Sequence, residues 1–262
     1  MRSVISLSVF LVFAAAACGS NIPSSRNLGV LNVKDTTGGG PGYVVHPTGV
    51  FWNANNVVIP NSQTVPDSCI DTIYFKPDTT TRHLSSQIDA GSPILVATST
   101  QAAHMTPDTI PGLIVVYKAP PAGLTHTPGT DITFTIPGAP GGFEATAIQA
   151  KTASLLSLGP IDPQPADSLH LTWNLQTPGL SAVGIALLYS TTGSINYDRQ
   201  ILCSLYDDGE AWVIKKDAAK WKAGYPNQTV QAYRWITNFH TGSNNSLLVA
   251  ISEFDTVKVT LP

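Results

Sequence analysis

The chain has 262 residues, of which 12% are charged and 43% apolar, with 21 Gly, 20 Pro and 3 Cys. A charged fraction about half the usual ~25% excludes long solvated helices and coiled coils, whose wet faces need Glu, Lys and Arg. With 14 Lys+Arg against 17 Asp+Glu and a formal charge of -3, no basic surplus exists to neutralise phosphates, so neither nucleic acid nor an anionic membrane surface is an expected electrostatic partner.

Residues 1–18 carry Arg2, an apolar run from Val4 to Ala14, and Ala15-Ala16-Ala17 directly before Cys18. That order is the charged start, apolar middle and small-residue cleavage site of an export signal. The apolar run is about half the ~20 residues a membrane-spanning helix needs, so cleavage is the expectation. The Ala-Ala-Ala-Cys junction resembles the lipobox of bacterial lipoproteins, departing from it in having Ala15 where Leu is usual. The resemblance implies removal of residues 1–17 and acylation of Cys18. Three acyl chains, at ~0.8 kcal/mol per buried methylene, hold a protein on a membrane almost permanently. Gly19 follows the Cys, and in lipoproteins of proteobacterial type the lack of Asp there favours the outer membrane. The alternative is an ordinary secretory signal cut near Ala17, giving a secreted or periplasmic protein. Either cleavage removes one charge, that of Arg2, and leaves a formal charge of -4.

Residues 18–42 are then expected to be the lipidated Cys and a flexible tether, since Ser, Asn, Gly and Pro dominate apart from an apolar patch at Leu28 to Val33. From Tyr43 onward, short apolar and β-branched runs alternate with Gly, Pro, Asn and Asp clusters. Strands are expected at Tyr43 to Val45, Val57 to Ile59, Asp71 to Phe75, Ile94 to Ala97, Gly112 to Tyr117 and Asp131 to Ile136. Pro160 to Pro165 is the expected boundary between a β-rich region, 43–160, and a carboxy-terminal β-sandwich, 161–262. In the latter, Leu169, Leu171 and Trp173 alternate with His170 and Thr172, which places the three large apolar groups on the buried face. Further strands are expected at Val183 to Tyr189, Ile201 to Tyr206, Ala211 to Ile214, Val230 to Phe239 and Leu247 to Leu261, with a hairpin at Asp207-Asp208-Gly209. Asp217 to Ala223, capped by Asp217 and Gly224, is the one expected helix.

The Leu-x-Leu-x-Trp strand followed by a late Val-x-Ala-Tyr strand resembles fibronectin type III and related immunoglobulin-like modules over about the last 100 residues. The resemblance implies an all-β fold, an immunoglobulin-like β-sandwich preceded by a second β-rich region, and nothing catalytic.

Familiar catalytic signatures are missing from the sequence: no Gly-x-Ser-x-Gly, no His-Glu-x-x-His and no phosphate loop with Lys. The Gly-rich run at 38–42 has neither a following Lys nor a following helix, and so makes no phosphate cradle. His46, His83, His104, His126, His170 and His240 have no metal-ligand spacing and are expected to be solvated. Asp207, Asp208 and Glu210 offer three carboxylates, too few for the six to eight oxygens that Ca²⁺ prefers, so a solvated turn is expected. Cys69 and Cys203 are a candidate disulfide pair in an oxidising compartment, the alternative being two separate buried thiols. Of five Trp, Trp173, Trp212 and Trp235 are expected in the core and Trp221 beneath the short helix. Trp52, beside Asn53, Asn55 and Asn56 in an expected loop, is the candidate ligand-stacking residue. The expectation is a lipoprotein, membrane-bound through its lipid, whose β-sandwich body serves binding, adhesion or envelope structure without catalysis or cofactor, with an envelope protein or polysaccharide as partner. A carbohydrate-binding accessory module is the alternative, and a hydrolase with an unrecognised site is a distant third.

Overall fold

The computed structural model describes residues 25–34, 43–57, 67–73, 87–110, 114–154, 156–162, 168–175, 181–192, 196–213, 221, 228–243 and 246–260. These are nearly all β. The strands are β1 (Ser25–Lys34), β2 (Tyr43–Val45), β3 (Thr48–Val57), β4 (Ser68–Ile73), β5 (Ile94–Ala97), β6 (Ala102–Ile110), β7 (Ile114–Lys118) and β8 (Leu124–His126). They continue with β9 (Ile132–Ile136), β10 (Thr146–Ala150), β11 (Leu169–Thr172), β12 (Ser181–Tyr189), β13 (Arg199–Tyr206), β14 (Glu210–Val213), β15 (Thr229–Thr241) and β16 (Leu247–Thr260).

Twelve of them form one sheet in the order β10-β9-β5-β6-β7-β3-β1-β16-β15-β12-β13-β4, and the pairs β11-β14 and β2-β8 stand apart. A twisted sheet of this width folds over on itself rather than staying open. The corner is β6: its first half, Ala102 to Met105, pairs with β5, and its second half, from Thr106 onward, pairs with β7. Pro107 falls just past the switch. Strands β5, β9 and β10 thereby face β3, β1 and β16 across a core that includes Ile94, Val96, Ile132, Phe134, Leu31, Phe51 and Leu248. Phe51 meets Tyr117 and Phe143 edge-on, with ring centroids 5.5 and 5.0 Å apart, the geometry that aromatic quadrupoles favour.

A second core lies farther along the sheet. There, Val183, Ile185, Leu187, Ile201, Leu205, Val230 and Ala232 pack against Leu169, Leu171, Trp173 and Val213 of the small β11-β14 sheet. The alternation expected at 169–173 is present, with Leu169, Leu171 and Trp173 buried and His170 and Thr172 partly exposed. β12 is covered on both faces. Its Gly184 lies against Tyr233, and a Cβ there would sit 2.4 Å from the ring, so a larger residue would have to displace that ring.

Three expectations about the strands need correction. Residues 25–34 are not tether but strand β1, parallel to β16 and antiparallel to β3, with Leu31 and Val33 fully buried. Asp207 to Gly209 does not close a hairpin, because β13 pairs with β12 and β4 whereas β14 pairs with β11. The chain crosses there from one sheet to the other, and Gly209 takes a φ of 98° to do so. Trp52 lies in β3, not in a loop. Of the expected helix, only Trp221 is described: it is helical and fully buried, and the rest of 217–223 lies outside the described residues.

Two buried phenols give the fold a spectroscopic mark. Burial, followed by a hydrogen bond to Asp89, pushes the Tyr117 hydroxyl up to about 12, and burial does the same at Tyr189, whose hydroxyl donates a hydrogen bond to Asp71. In an absorbance titration at 295 nm, two of the eight tyrosines are therefore expected to stay protonated past pH 11. The neutral phenol is the favoured form in the folded state, so this stabilisation is complete below pH 10 and disappears as the pH rises through about 12. Ionisation of all eight near pH 10 in the folded protein would contradict the packing.

Candidate functional site

A buried polar cluster lies on the inner face of the wide sheet, between the two cores. Alternation along β15 turns Val230, Ala232, Arg234 and Ile236 inward, so Arg234 enters the interior at the point where one core ends and the other begins. Its guanidinium is fully buried and its Nε lies 2.7 Å from Asp207 Oδ2. Nη2 donates to Asp207 Oδ1 at 2.9 Å and to the Asn174 carbonyl at 2.5 Å, and Nη1 donates to the Ser154 carbonyl at 3.1 Å. Asp207 also accepts from Trp173 Nε1 at 3.0 Å and from the Ser181 hydroxyl. Its side chain is only 4% exposed, which corrects the expectation of a solvated turn at Asp207, whereas Asp208 and Glu210 are exposed. A buried carboxylate with this many donors and a buried guanidinium facing it form a structural pair.

The edge strand β4 supplies a second cluster. Arg199 pairs with Asp71, whose other oxygen accepts from Tyr189 at 3.0 Å. Two residues back along β4, Cys69 is bonded to Cys203, its direct register partner on β13, and the bond spans 134 residues. In the chain-entropy model, a loop of that size stabilises the fold by about 5 kcal/mol, with enthalpic effects modifying that figure. His126 is buried as well, with Nε2 2.9 Å from the Thr152 hydroxyl, in contrast to the solvated histidine expected. Among the described residues no group of three His, Cys, Asp or Glu side chains could hold a metal ion.

The outward-facing aromatics differ in character from these internal networks. Trp52 is half-buried, pairs with Leu28 of β1 and bridges to Gln87. Trp235 is half-buried on the outer face of β15 beside Tyr233, their ring centroids 5.4 Å apart, and so is not in the core as expected. Trp212, also expected in the core, is 58% exposed. Its imidazole neighbour His170, the register partner on β11, stacks on the indole with centroids 4.1 Å apart and planes 8° from parallel. His170 Nε2 is in turn 2.8 Å from Glu210 Oε2. In Glu210-Ala211-Trp212-Val213 the indole shares a face with Glu210, while Ala211 and Val213 take the inward positions. Cys18 lies outside the described residues.

No protein-family model matches the chain, and no curated protein matches it.

Proposed function

We propose that the chain is a bacterial envelope lipoprotein, anchored through Cys18 and placed in the outer membrane, whose β-sandwich body binds an envelope component without catalysis. The observation that carries this reading is the Ala15-Ala16-Ala17-Cys18 junction behind a short apolar run. The Cys69–Cys203 disulfide supports it, since such bonds persist in oxidising compartments outside the cytosol. The charged clusters described above are satisfied within the fold and serve its cohesion. The strand order supports a fibronectin type III-like reading of 161–262. β13-β12-β15-β16 on one sheet and β11-β14 on the other match the neighbour relations of strands C′-C-F-G and B-E in immunoglobulin-like sandwiches.

The test is fractionation of Cys18→Ser. Because the lipid is the proposed membrane attachment, the variant is expected in the aqueous periplasmic fraction while the wild type stays with detergent-soluble membrane. Membrane retention of the variant would sink the reading.

A further inference from the structure

We propose that the Trp212 indole, backed by His170 and rimmed by Glu210, is a binding shelf for a neutral polysaccharide, stacking on the C–H face of a hexopyranose ring. The proposal rests on the binding role given above and names the chemistry of the ligand. An isolated exposed apolar side chain is ordinary on a protein surface. Trp212 is distinguished by how it is held. It stands on a strand, one face is covered by the parallel imidazole at 4.1 Å, and that imidazole is tied to Glu210 at 2.8 Å. Trp212 as a whole is still 58% exposed, which leaves the indole face opposite His170 open to solvent. A ring fixed in place before its ligand arrives loses little conformational entropy on binding, which is the condition under which an aromatic anchor gives affinity.

The rim indicates what kind of ligand fits. The indole N–H of Trp212 and the carboxylate of Glu210 place a donor and an acceptor beside the flat apolar surface. A wholly apolar partner would desolvate both and leave them unsatisfied, at a cost. A sugar ring presents apolar C–H groups on one face and hydroxyls at its edge that can both donate and accept, which matches shelf and rim together. Charge narrows the class further. The carboxylate of Glu210 flanks the ring, Asp208 lies two residues away, and the mature chain carries a formal charge of -4, so acidic polymers are repelled and neutral ones are not.

Affinity electrophoresis of the full-length protein in detergent micelles tests this, using gels cast with soluble β-1,3-glucan, β-1,4-linked mixed glucan or mannan, and with polygalacturonate as the acidic polymer. At least one neutral polymer is expected to retard the wild type. Trp212→Ala should weaken that retardation tenfold or more while leaving the unfolding midpoint in place, and Trp212→Thr, which keeps strand propensity, should do the same. Trp52→Ala should be retarded like the wild type. No retardation by any neutral polymer, retardation that survives both Trp212 variants, or retardation by polygalacturonate alone would overturn the proposal. Both Trp212 variants should fractionate with membrane as the wild type does, so a failure of anchoring appears in the fractions and a failure of the shelf appears in the gel.

Discussion

Asp207→Ala is expected to lower stability by about 3 to 5 kcal/mol, the usual cost of removing one partner from a buried ion pair. The alanine leaves the fully buried Arg234 guanidinium without its counter-charge and takes an acceptor from Trp173 Nε1 and the Ser181 hydroxyl. Urea unfolding with an unchanged slope measures it. Adding Arg234→Met to the same chain should recover part of the loss, because the penalty comes mainly from the stranded charge and an apolar side chain carries none. A loss below about 1 kcal/mol for the single variant, the range of solvent-exposed pairs, would mean that water reaches the guanidinium.

Trp173→Ala should cost a similar amount, about 3 to 5 kcal/mol, by emptying a large aromatic site in the second core. Trp173 is 6% exposed and packs with Leu169 and Leu171 between the two sheets. It also donates its indole N–H to Asp207, so this change and Asp207→Ala act on one network and their costs should not add. The contrast with Trp212 is direct. Truncation of the buried tryptophan should move the midpoint and truncation of the exposed one should not. An unchanged midpoint for Trp173→Ala would overturn the inward register of residues 169–173.

The strands that the sequence makes legible are those whose own side chains alternate or run apolar between turn residues. Ile94 to Ala97 coincides with β5, and Asp131 to Ile136, Val183 to Tyr189 and Ile201 to Tyr206 fall within two residues of β9, β12 and β13. β1 is obscured because its stability is supplied from far away. Its Asn- and Ser-containing segment is ordered by β3 on one side and by β16, more than two hundred residues later, on the other. Such pairing leaves only the apolar patch at Leu28 to Val33 as a local signature. β6 is hidden by Pro107, which in a flat sheet argues against a strand and here falls where the strand turns from one layer to the next. The Asp-Gly signal at 208–209 marks a real turn, but a turn motif specifies a local bend and not which strands pair. The long-range Asp207–Arg234 contact accompanies the crossover to the other sheet.

Of the candidate site, the same reasoning recovers part. Alternation places His170 outward and Trp173 inward correctly, since Leu169, Leu171 and Trp173 stay in phase along β11 and the residue after it. It misplaces Trp212 because β14 is four residues long and two of them are the apolar Ala211 and Val213. An apolar run that short does not distinguish a strand covered on both faces from one covered on a single face. Only pairing with β11 shows that Trp212 stands opposite His170 and beside Glu210. Trp52 fails in the opposite sense: its amide-rich neighbours read as loop, yet β3 pairs there with β1.

The most direct measurement is metabolic labelling of the wild-type protein with palmitate, followed by mass analysis of the mature amino-terminal peptide. A lipid-anchored envelope protein predicts label in the wild type, none in Cys18→Ser, and a mature chain that begins at an acylated Cys18. An unlabelled wild type beginning at an unmodified Cys18, or still carrying residues 1–17, would contradict it.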